Sequence, residues 1–572
     1  MMSATLVLLS LGASLAEGQS LHPRQNSFTV PTVNTTSGLV SGHPAANATS
    51  VYEYLGIPYA NPPTGNLRFA PPQPYTGNTS INGTQHGFTC PAIAGASQSA
   101  QGVITVTGAN ILTEIGQSDL PVGEDCLHLN IWVPSGGEEN KAVLLWIFGG
   151  GFITGSADLV AYNGQYFAEQ EDVIIIGVNY RLNIFGFPST PTEPNSNLGL
   201  LDQRLAVEWT RDNIAAFGGD PSRITIFGQS AGSASVDQYG YAWTEDPIIA
   251  GMIQQSGSVN RQAPIPRAEG ERSWFTVSNA LGCGDAFSDP NEVVECMRSK
   301  EWNEILQQTP SFSQVLASNL AFRPVADNIT GYTDYEARSR AGNFIQVPLL
   351  VGNTNNEADF FRAIDALSNA TQPQVYYDNF NRDTFDCPSS VRANISLSQD
   401  VPTWRYRYFG AWPNMQLTAN PDSGSWHTID VLEIFDYTPQ GPGIPAETTA
   451  QNATGRYMRG AWAAFAKNPK EGLASYGGGW PQYEPGEDTL IRVAYDNQTG
   501  TNLANPALYD AVCSSRYPID KTASGGGTDS TPTGSGSSLG ATSTPETTSS
   551  GSSLGGSLAF ALLMAVVTAY LF

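Results

Sequence analysis

Gly228-Gln229-Ser230-Ala231-Gly232 is the stretch on which the reading of this chain turns. An apolar β-branched run, Ile224 to Phe227, precedes it, and a small-residue segment able to open a helix, Ser233 to Val236, follows it. A serine on a sharp strand-to-helix turn needs small residues two before and two after it, because the two backbones approach too closely for side chains. The hydroxyl is then forced outward at the helix N-terminus. The pentad alone is a weak signal in a chain with 58 glycines among 572 residues: Gly536-Ser537-Ser538-Leu539-Gly540 and Gly551-Ser552-Ser553-Leu554-Gly555 match it too. Both of those lie in a Ser/Thr/Gly-rich tail with no strand before them. Only Ser230 has the context.

Working outward from Ser230, β-rich apolar runs alternate with helical patterns between about Phe28 and Asp520. Val143 to Phe148, Val173 to Val178, Ile224 to Phe227 and Val347 to Val351 read as strands covered on both faces. Asp202 to Phe217, with Leu205, Val207, Trp209 and Ile214 spaced among charged residues, reads as a helix. Such alternation predicts an α/β fold with a large, mostly parallel central sheet flanked by helices. In such sheets, sites form at the carboxyl ends of the strands, which is where Ser230 falls.

The net charge of −25, from 52 acidic and 27 basic residues, argues against nucleic acid or anionic lipid as a partner, since both need clustered Lys and Arg. Residues 1–16 read as a signal peptide: the apolar run Ala4 to Ala16 is too short to span a bilayer and ends in a small-residue pattern, Ser14-Leu15-Ala16. No Lys or Arg precedes that run. Behind a secretory signal, an even set of cysteines, Cys90, Cys126, Cys283, Cys296, Cys387 and Cys513, is expected to form disulfides, with connectivity left open by the spacing itself. Asn-x-Ser/Thr sequons at Asn34, Asn47, Asn78, Asn82, Asn328, Asn369, Asn394, Asn452 and Asn497 fit a glycosylated secreted product. Residues 524–557 have the composition of a disordered spacer. The apolar segment 558–572 would reach about 22 Å as a helix against a hydrocarbon core of about 30 Å. An uncharged apolar terminus behind a small-residue spacer reads as a glycosylphosphatidylinositol attachment signal, with Ser549, Ser550 and Gly551 as plausible attachment points.

Several separated motifs carry a family likeness. They are Tyr54-Leu55-Gly56-Ile57-Pro58-Tyr59-Ala60 with Leu67-Arg68-Phe69, Glu124-Asp125-Cys126-Leu127-His128-Leu129-Asn130, and Trp146-Ile147-Phe148-Gly149-Gly150-Gly151-Phe152. Asn179-Tyr180-Arg181, Asn197-Leu198-Gly199-Leu200-Leu201-Asp202-Gln203, Gly218-Gly219-Asp220-Pro221 and Gln255-Ser256-Gly257-Ser258 continue the series. In this order they resemble the carboxylesterase/lipase type B branch of the α/β-hydrolases, which includes cholinesterases and fungal lipases. The resemblance covers residues 28–520 and implies one catalytic domain and ester hydrolysis.

A serine hydroxyl is a poor nucleophile at neutral pH and needs a base in reach, itself oriented by an acid. His22, His43, His86 and His128 all precede Ser230, whereas α/β-hydrolases order their triad serine, acid, histidine, so His427 is the expected base. Leu349 to Val351 supplies a strand and Gly352 to Glu357 a loop, placing Glu357 at the family's acid position; Asp359 competes for the role. Gly149-Gly150-Gly151 follows the Val143 to Phe148 strand as an oxyanion loop should. The resemblance assigns the amides of Gly150, Gly151 and Ala231 to that hole. It also implies the pairings Cys90 with Cys126, Cys283 with Cys296 and Cys387 with Cys513, structural ion pairs Arg68 with Glu124 and Arg181 with Asp202, and a supporting role for Ser256 near the acid. Phe148 stands where many esterases place histidine, and this branch accepts an aromatic residue there.

The segment between Cys90 and Cys126 has no Trp, Tyr or Phe for a quaternary ammonium, and Gln229 replaces the acidic residue that cholinesterases have before the serine, so a choline ester is disfavoured. Val103, Ile104, Val106, Ile111, Leu112 and Ile115 in that segment suit either a lipase flap or packing on the core. Small-molecule or lipid carboxylic esters are the expected substrates, with lipase action on long-chain acylglycerols and a non-catalytic surface adhesion protein of the same fold as alternatives. No metal spacing, dinucleotide fingerprint or phosphate loop appears, so no cofactor is expected.

Overall fold

The computed structural model describes residues 31–92, 103–116, 120–136, 139–260, 263–310 and 322–513. The expected signal peptide, His22, the spacer and the apolar terminus lie outside the described residues.

Eleven strands form the main sheet: β1 His43–Pro44, β2 Val51–Pro58, β3 His128–Pro134, β4 Lys141–Ile147, β5 Ile174–Val178, β6 Gly219–Gln229, β7 Gly251–Gln255, β8 Leu349–Thr354, β9 Thr403–Tyr408, β10 Leu490–Val493 and β11 Leu503–Ala504. Their order across the sheet is β11-β10-β9-β8-β7-β6-β4-β5-β3-β2-β1. From β10 through to β5 every neighbouring pair is parallel, while the two margins are antiparallel. Strands β4, β5 and β7 are buried along their whole length, as strands covered on both faces are, and β6 is buried from Ile224 to its end.

Two adjacent residues of β7 show how the faces are covered. Consecutive strand side chains point to opposite sides. A Cβ on Gly251 would meet the Phe465 ring at 2.9 Å, whereas the Met252 sulfur lies 3.4 Å from where a Cβ on Gly240 would stand. The helix Thr449–Lys467, which carries Phe465, therefore lies on one face, and the helix Ala231–Ala242, which carries Gly240, on the other.

The expected strand at 347–351 is found at Leu349–Thr354, because Pro348 has no amide to offer the ladder and the strand starts after it. The helix expected at 202–217 runs over Leu198–Asn213 and tightens into a 3-10 turn, Ile214–Phe217, that ends at Gly218 with φ 84°.

Three disulfides are present, Cys90–Cys126, Cys283–Cys296 and Cys387–Cys513. They span 36, 13 and 126 residues respectively. In the chain-entropy account, a longer closed loop removes more freedom from the unfolded state. Replacing Cys387 and Cys513 by Ala should therefore destabilise the fold more than replacing Cys283 and Cys296, by about 2 kcal/mol. Urea unfolding of the two double variants checks this, and the reverse order would mean that loop entropy does not set their contributions.

Candidate active site

Ser230 occupies the turn between β6 and the helix Ala231–Ala242 with φ 57° and ψ −123°. A serine held there costs about 1–3 kcal/mol, which its surroundings must offset. The Ser230 amide donates to Gln255 O at 2.9 Å, and Ser230 O accepts from the Ala234 amide at 2.9 Å. Ser233 Oγ donates to Gly257 O at 2.7 Å. The flanking glycines are sterically required, since a Cβ on Gly232 would lie 2.0 Å from Ile147 O and one on Gly228 2.5 Å from Gly232 O.

Glu357 is fully buried at the start of the helix Ala358–Leu367. One carboxylate oxygen accepts from Ser256 Oγ at 2.6 Å and the Thr354 amide at 2.7 Å, and the other pairs with His427 Nδ1 at 2.5 Å. The acid and histidine loops are fastened to one another: the Asn356 amide donates to Ser425 O at 3.0 Å, and Ser425 Oγ to Asn356 Oδ1 at 3.1 Å. Asp359, the competing acid, instead faces Arg362 at 3.2 Å. Of the other histidines, His43 pairs with Glu53, and His86 and His128 both lie against the buried Asp158.

The Nε2 of His427 is paired with Gln229 Nε2 at 3.0 Å rather than with Ser230 Oγ. With Nδ1 directed at a carboxylate, the imidazole carries its proton on Nδ1 and presents the Nε2 lone pair to the Gln229 amide. Phe385, Phe361 and Phe360 surround the ring with centroids at 4.8, 5.4 and 6.0 Å.

The glycine loop after β4 reaches Ser230: a Cβ on Gly149 would sit 2.9 Å from the Ser230 Cβ. Gly150 and Gly151 have φ of 112° and 63°, and Gly150 O turns the loop back by accepting from the Ile153 and Thr154 amides, each at 3.1 Å. The amides of Gly150 and Gly151 have no carbonyl partner among the described residues, and Ala231 opens its helix, where the first amides lack intrahelical acceptors. Phe148 stacks on Tyr180 at 4.4 Å, and the Tyr180 hydroxyl donates to Phe148 O at 2.8 Å, fixing the strand end from which the loop departs.

Several contributors carry no sequence signal of their own. Phe385 reaches His427 from a π-helical turn, Arg382–Asp386, which no apolar periodicity announces. Asp430, in the first turn of the helix Ile429–Ile434 that follows His427, accepts from Gln255 Nε2 at 3.1 Å and the Tyr406 hydroxyl at 2.9 Å. The ion pairs Arg68–Glu124 and Arg181–Asp202 are buried, at 2.5 and 2.7 Å.

A wide, mostly parallel sheet with a strained serine turn at the carboxyl end of a central strand defines an α/β-hydrolase. Residues 29–386 match the family profile described as Carboxylesterase family. The chain is 32% identical to a chlorogenic acid esterase of Aspergillus niger, over 80% of this chain and 89% of that one. It is 30% identical to Secreted lipase 5 of Gibberella zeae, over 85% of this chain and 94% of that one. An acetylcholinesterase of Bungarus fasciatus is 35% identical, over 81% and 82% of the two chains. The chain belongs to the carboxylesterase family and is a carboxylic ester hydrolase. Among the described residues, no helix is long and apolar enough to cross a membrane.

Burial, and then the charge of Glu357, push the Asp430 carboxyl up to about 6. A raised carboxyl favours its neutral form in the folded state, so its ionisation costs stability across roughly pH 4 to 6, and the full penalty is present above that window. Asp430→Asn keeps an acceptor for Gln255 and Tyr406 and removes the charge. It should unfold at a higher temperature than the parent at pH 7 to 8, with the gap closing as pH falls towards 4. An equal or lower midpoint at pH 7 would show that the Asp430 charge is not a burden to the fold.

Proposed function

We propose that the chain hydrolyses carboxylic esters through an acyl-enzyme on Ser230, with His427 as base and Glu357 as the orienting acid. The observation that carries the reading is the His427 Nδ1 to Glu357 contact at 2.5 Å, with the other ring nitrogen against Gln229, the residue that leads into the strained Ser230 turn. Ser230 Oγ attacks the ester carbonyl carbon and its proton passes to His427 Nε2. Glu357 fixes the tautomer and stabilises the imidazolium. The amides of Gly150, Gly151 and Ala231 hold the oxygen on which negative charge develops. Collapse of that adduct expels the alcohol, which takes the proton from Nε2, and water then cleaves the acyl-serine by the same route. Ser256 is a positioning residue that holds Glu357.

The substrates we favour are soluble carboxylic esters. The helix Val106–Ile115 buries Ile111 and Leu112, and Thr105 ties its start to the backbone of Gln416 and Leu417, leaving Val106 in its first turn and Val103 just before it exposed at 63% and 44%. That packing favours a fixed wall over a lipase flap. The presence of Ser230, Glu357, His427 and the glycine loop together disfavours a purely adhesive role.

We also propose that the protein is secreted and held at the outer cell surface by a lipid. The relative named as a secreted lipase supports export. The lipid anchor rests on sequence alone, since residues 514–572 lie outside the described residues. Phosphatidylinositol-specific phospholipase should release ester hydrolase activity from membranes of the producing cells. Recovery of a peptide containing Tyr570 from mature membrane-bound protein would rule out the lipid anchor.

Ser230→Ala should abolish hydrolysis of p-nitrophenyl esters by correctly folded protein, and after reaction of the parent with a dialkyl p-nitrophenyl phosphate, which loses p-nitrophenolate, mass spectrometry should find a dialkyl phosphoryl group on Ser230. His427→Ala should lower kcat on the order of 10⁴-fold or more. Glu357→Gln should bring a large fall in kcat that Asp359→Asn does not reproduce. If Asp359→Asn is the damaging change, the acid must be reassigned.

A further inference from the structure

The Nε2 lone pair of His427 has room for one in-plane donor, and that donor is the Gln229 side-chain amide at 3.0 Å. Ser230, the neighbouring residue, makes no side-chain hydrogen bond to it. The Gln229 side chain is buried, and its carbonyl oxygen stands 3.0 Å from where a Cβ on Gly149 would be. The carboxamide thus has its amide on the base and its oxygen beside the glycine loop. For His427 to take a proton from Ser230, the Gln229 amide has to give up that lone pair.

We propose that Gln229 is a positioning residue that latches the base at rest: its amide occupies His427 Nε2 until a bound ester displaces it and Ser230 Oγ takes its place. The inference rests on the Ser230–His427–Glu357 reading given above. It adds a cost to each acylation and a benefit, because a histidine whose two nitrogens are both engaged keeps one orientation between turnovers. The neutrality of the latch matters too. The imidazole already faces Glu357 on Nδ1. Asp430, bonded to Gln255 and Tyr406, follows three residues later in the first turn of the helix Ile429–Ile434. Asp386 with Arg407, and Asp359 with Arg362, lie behind the acid. A carboxamide can donate to a neutral imidazole without adding another negative charge, whereas a carboxylate at the same place has no proton to donate and attracts the imidazolium instead.

Two variants of the full-length protein test the proposal. Gln229→Leu keeps the bulk and removes the donor. Its labelling by diethyl p-nitrophenyl phosphate should be about three- to tenfold faster than that of the parent, the order of effect of one neutral hydrogen bond. Gln229→Glu is nearly isosteric. The acid limb of its kcat/KM profile on a neutral p-nitrophenyl ester should move up by about one pH unit or more, because the base must lose a proton that the carboxylate helps it keep. Unchanged or slower labelling of Gln229→Leu that unfolds at the parent temperature, or an acid limb of Gln229→Glu at the parent position, overturns the latch. Should Gln229→Leu fold poorly, Gln229→Met carries the same labelling test. Labelling of Ser230 in the parent reads the triad by itself, and the variant-to-parent ratio reads the latch, so the failure of one is distinguishable from the failure of the other.

Discussion

Contact between the helix Ala231–Ala242 and the end of β4 governs the geometry of everything around it. A single added carbon at Gly232 would stand 2.0 Å from Ile147 O, well inside any non-bonded approach. The approach is that close because Ser230 takes a φ of 57°, which turns the chain from strand to helix within one residue. Relaxing the serine would lift the helix from the sheet and withdraw the Ala231 amide from the glycine loop. Local strain of about 1–3 kcal/mol is thereby exchanged for a fixed relation between nucleophile, helix N-terminus and loop. The exchange holds only while burial of the helix on β6 and β7 keeps the turn closed.

The electrostatics beneath the histidine follow a similar logic of unequal neighbours. Glu357, Asp386 and Asp430 are three buried carboxyls, and in a medium of low dielectric they do not ionise independently. Glu357 has a hydroxyl, an amide and an imidazole turned towards it. Asp430 has two neutral donors and an unpartnered oxygen, and burial together with the Glu357 charge pushes it up to about 6. Burial raises Asp386 as well, against the lowering influence of Arg407. The donors are thus concentrated on the carboxyl that faces His427, while burial resists the ionisation of its two neighbours.

How much of this was legible in the sequence depended on whether a residue's role is local. Strands β4, β5, β6 and β8 announced themselves through apolar runs, although β6 begins five residues before its run and β8 starts only after Pro348, which has no amide for the ladder, whereas β7 and β9 carry too many polar residues to stand out. Ser230 was legible because its turn is a five-residue affair of glycines and a preceding strand. The choice between Glu357 and Asp359 depended on direction: both stand at the start of one helix, yet Glu357 precedes its first residue and folds back to the Thr354 amide, while Asp359 sits one turn-fraction on and meets Arg362. Phe385 and Asp430 were not legible, since one depends on a π-helical turn and the other on tertiary contacts with Gln255 and Tyr406. Gln229 was visible as a neutral residue before the serine, but its contact with a histidine 198 positions away belongs to the folded state alone.

A final regularity links Ser230 and Glu357, the proposed nucleophile and acid, through the backbone. Ser230 and Ser256 both have φ of 57°, and they follow adjacent parallel strands, β6 and β7. Each uses its amide to continue the ladder past the strand end: Ser230 donates to Gln255 O at 2.9 Å, and Ser256 to Gly352 O at 2.8 Å. The steps therefore run from β6 to β7 to β8, each strand end fastened to the next. At the first step the freed side chain is the hydroxyl of Ser230; at the second it is the hydroxyl that grips Glu357. Because β8 leads directly into the Glu357 loop, a shift of any one strand end would move the serine turn and the acid together. Their separation is thus set by the spacing of parallel strands, which is among the least deformable lengths in a protein.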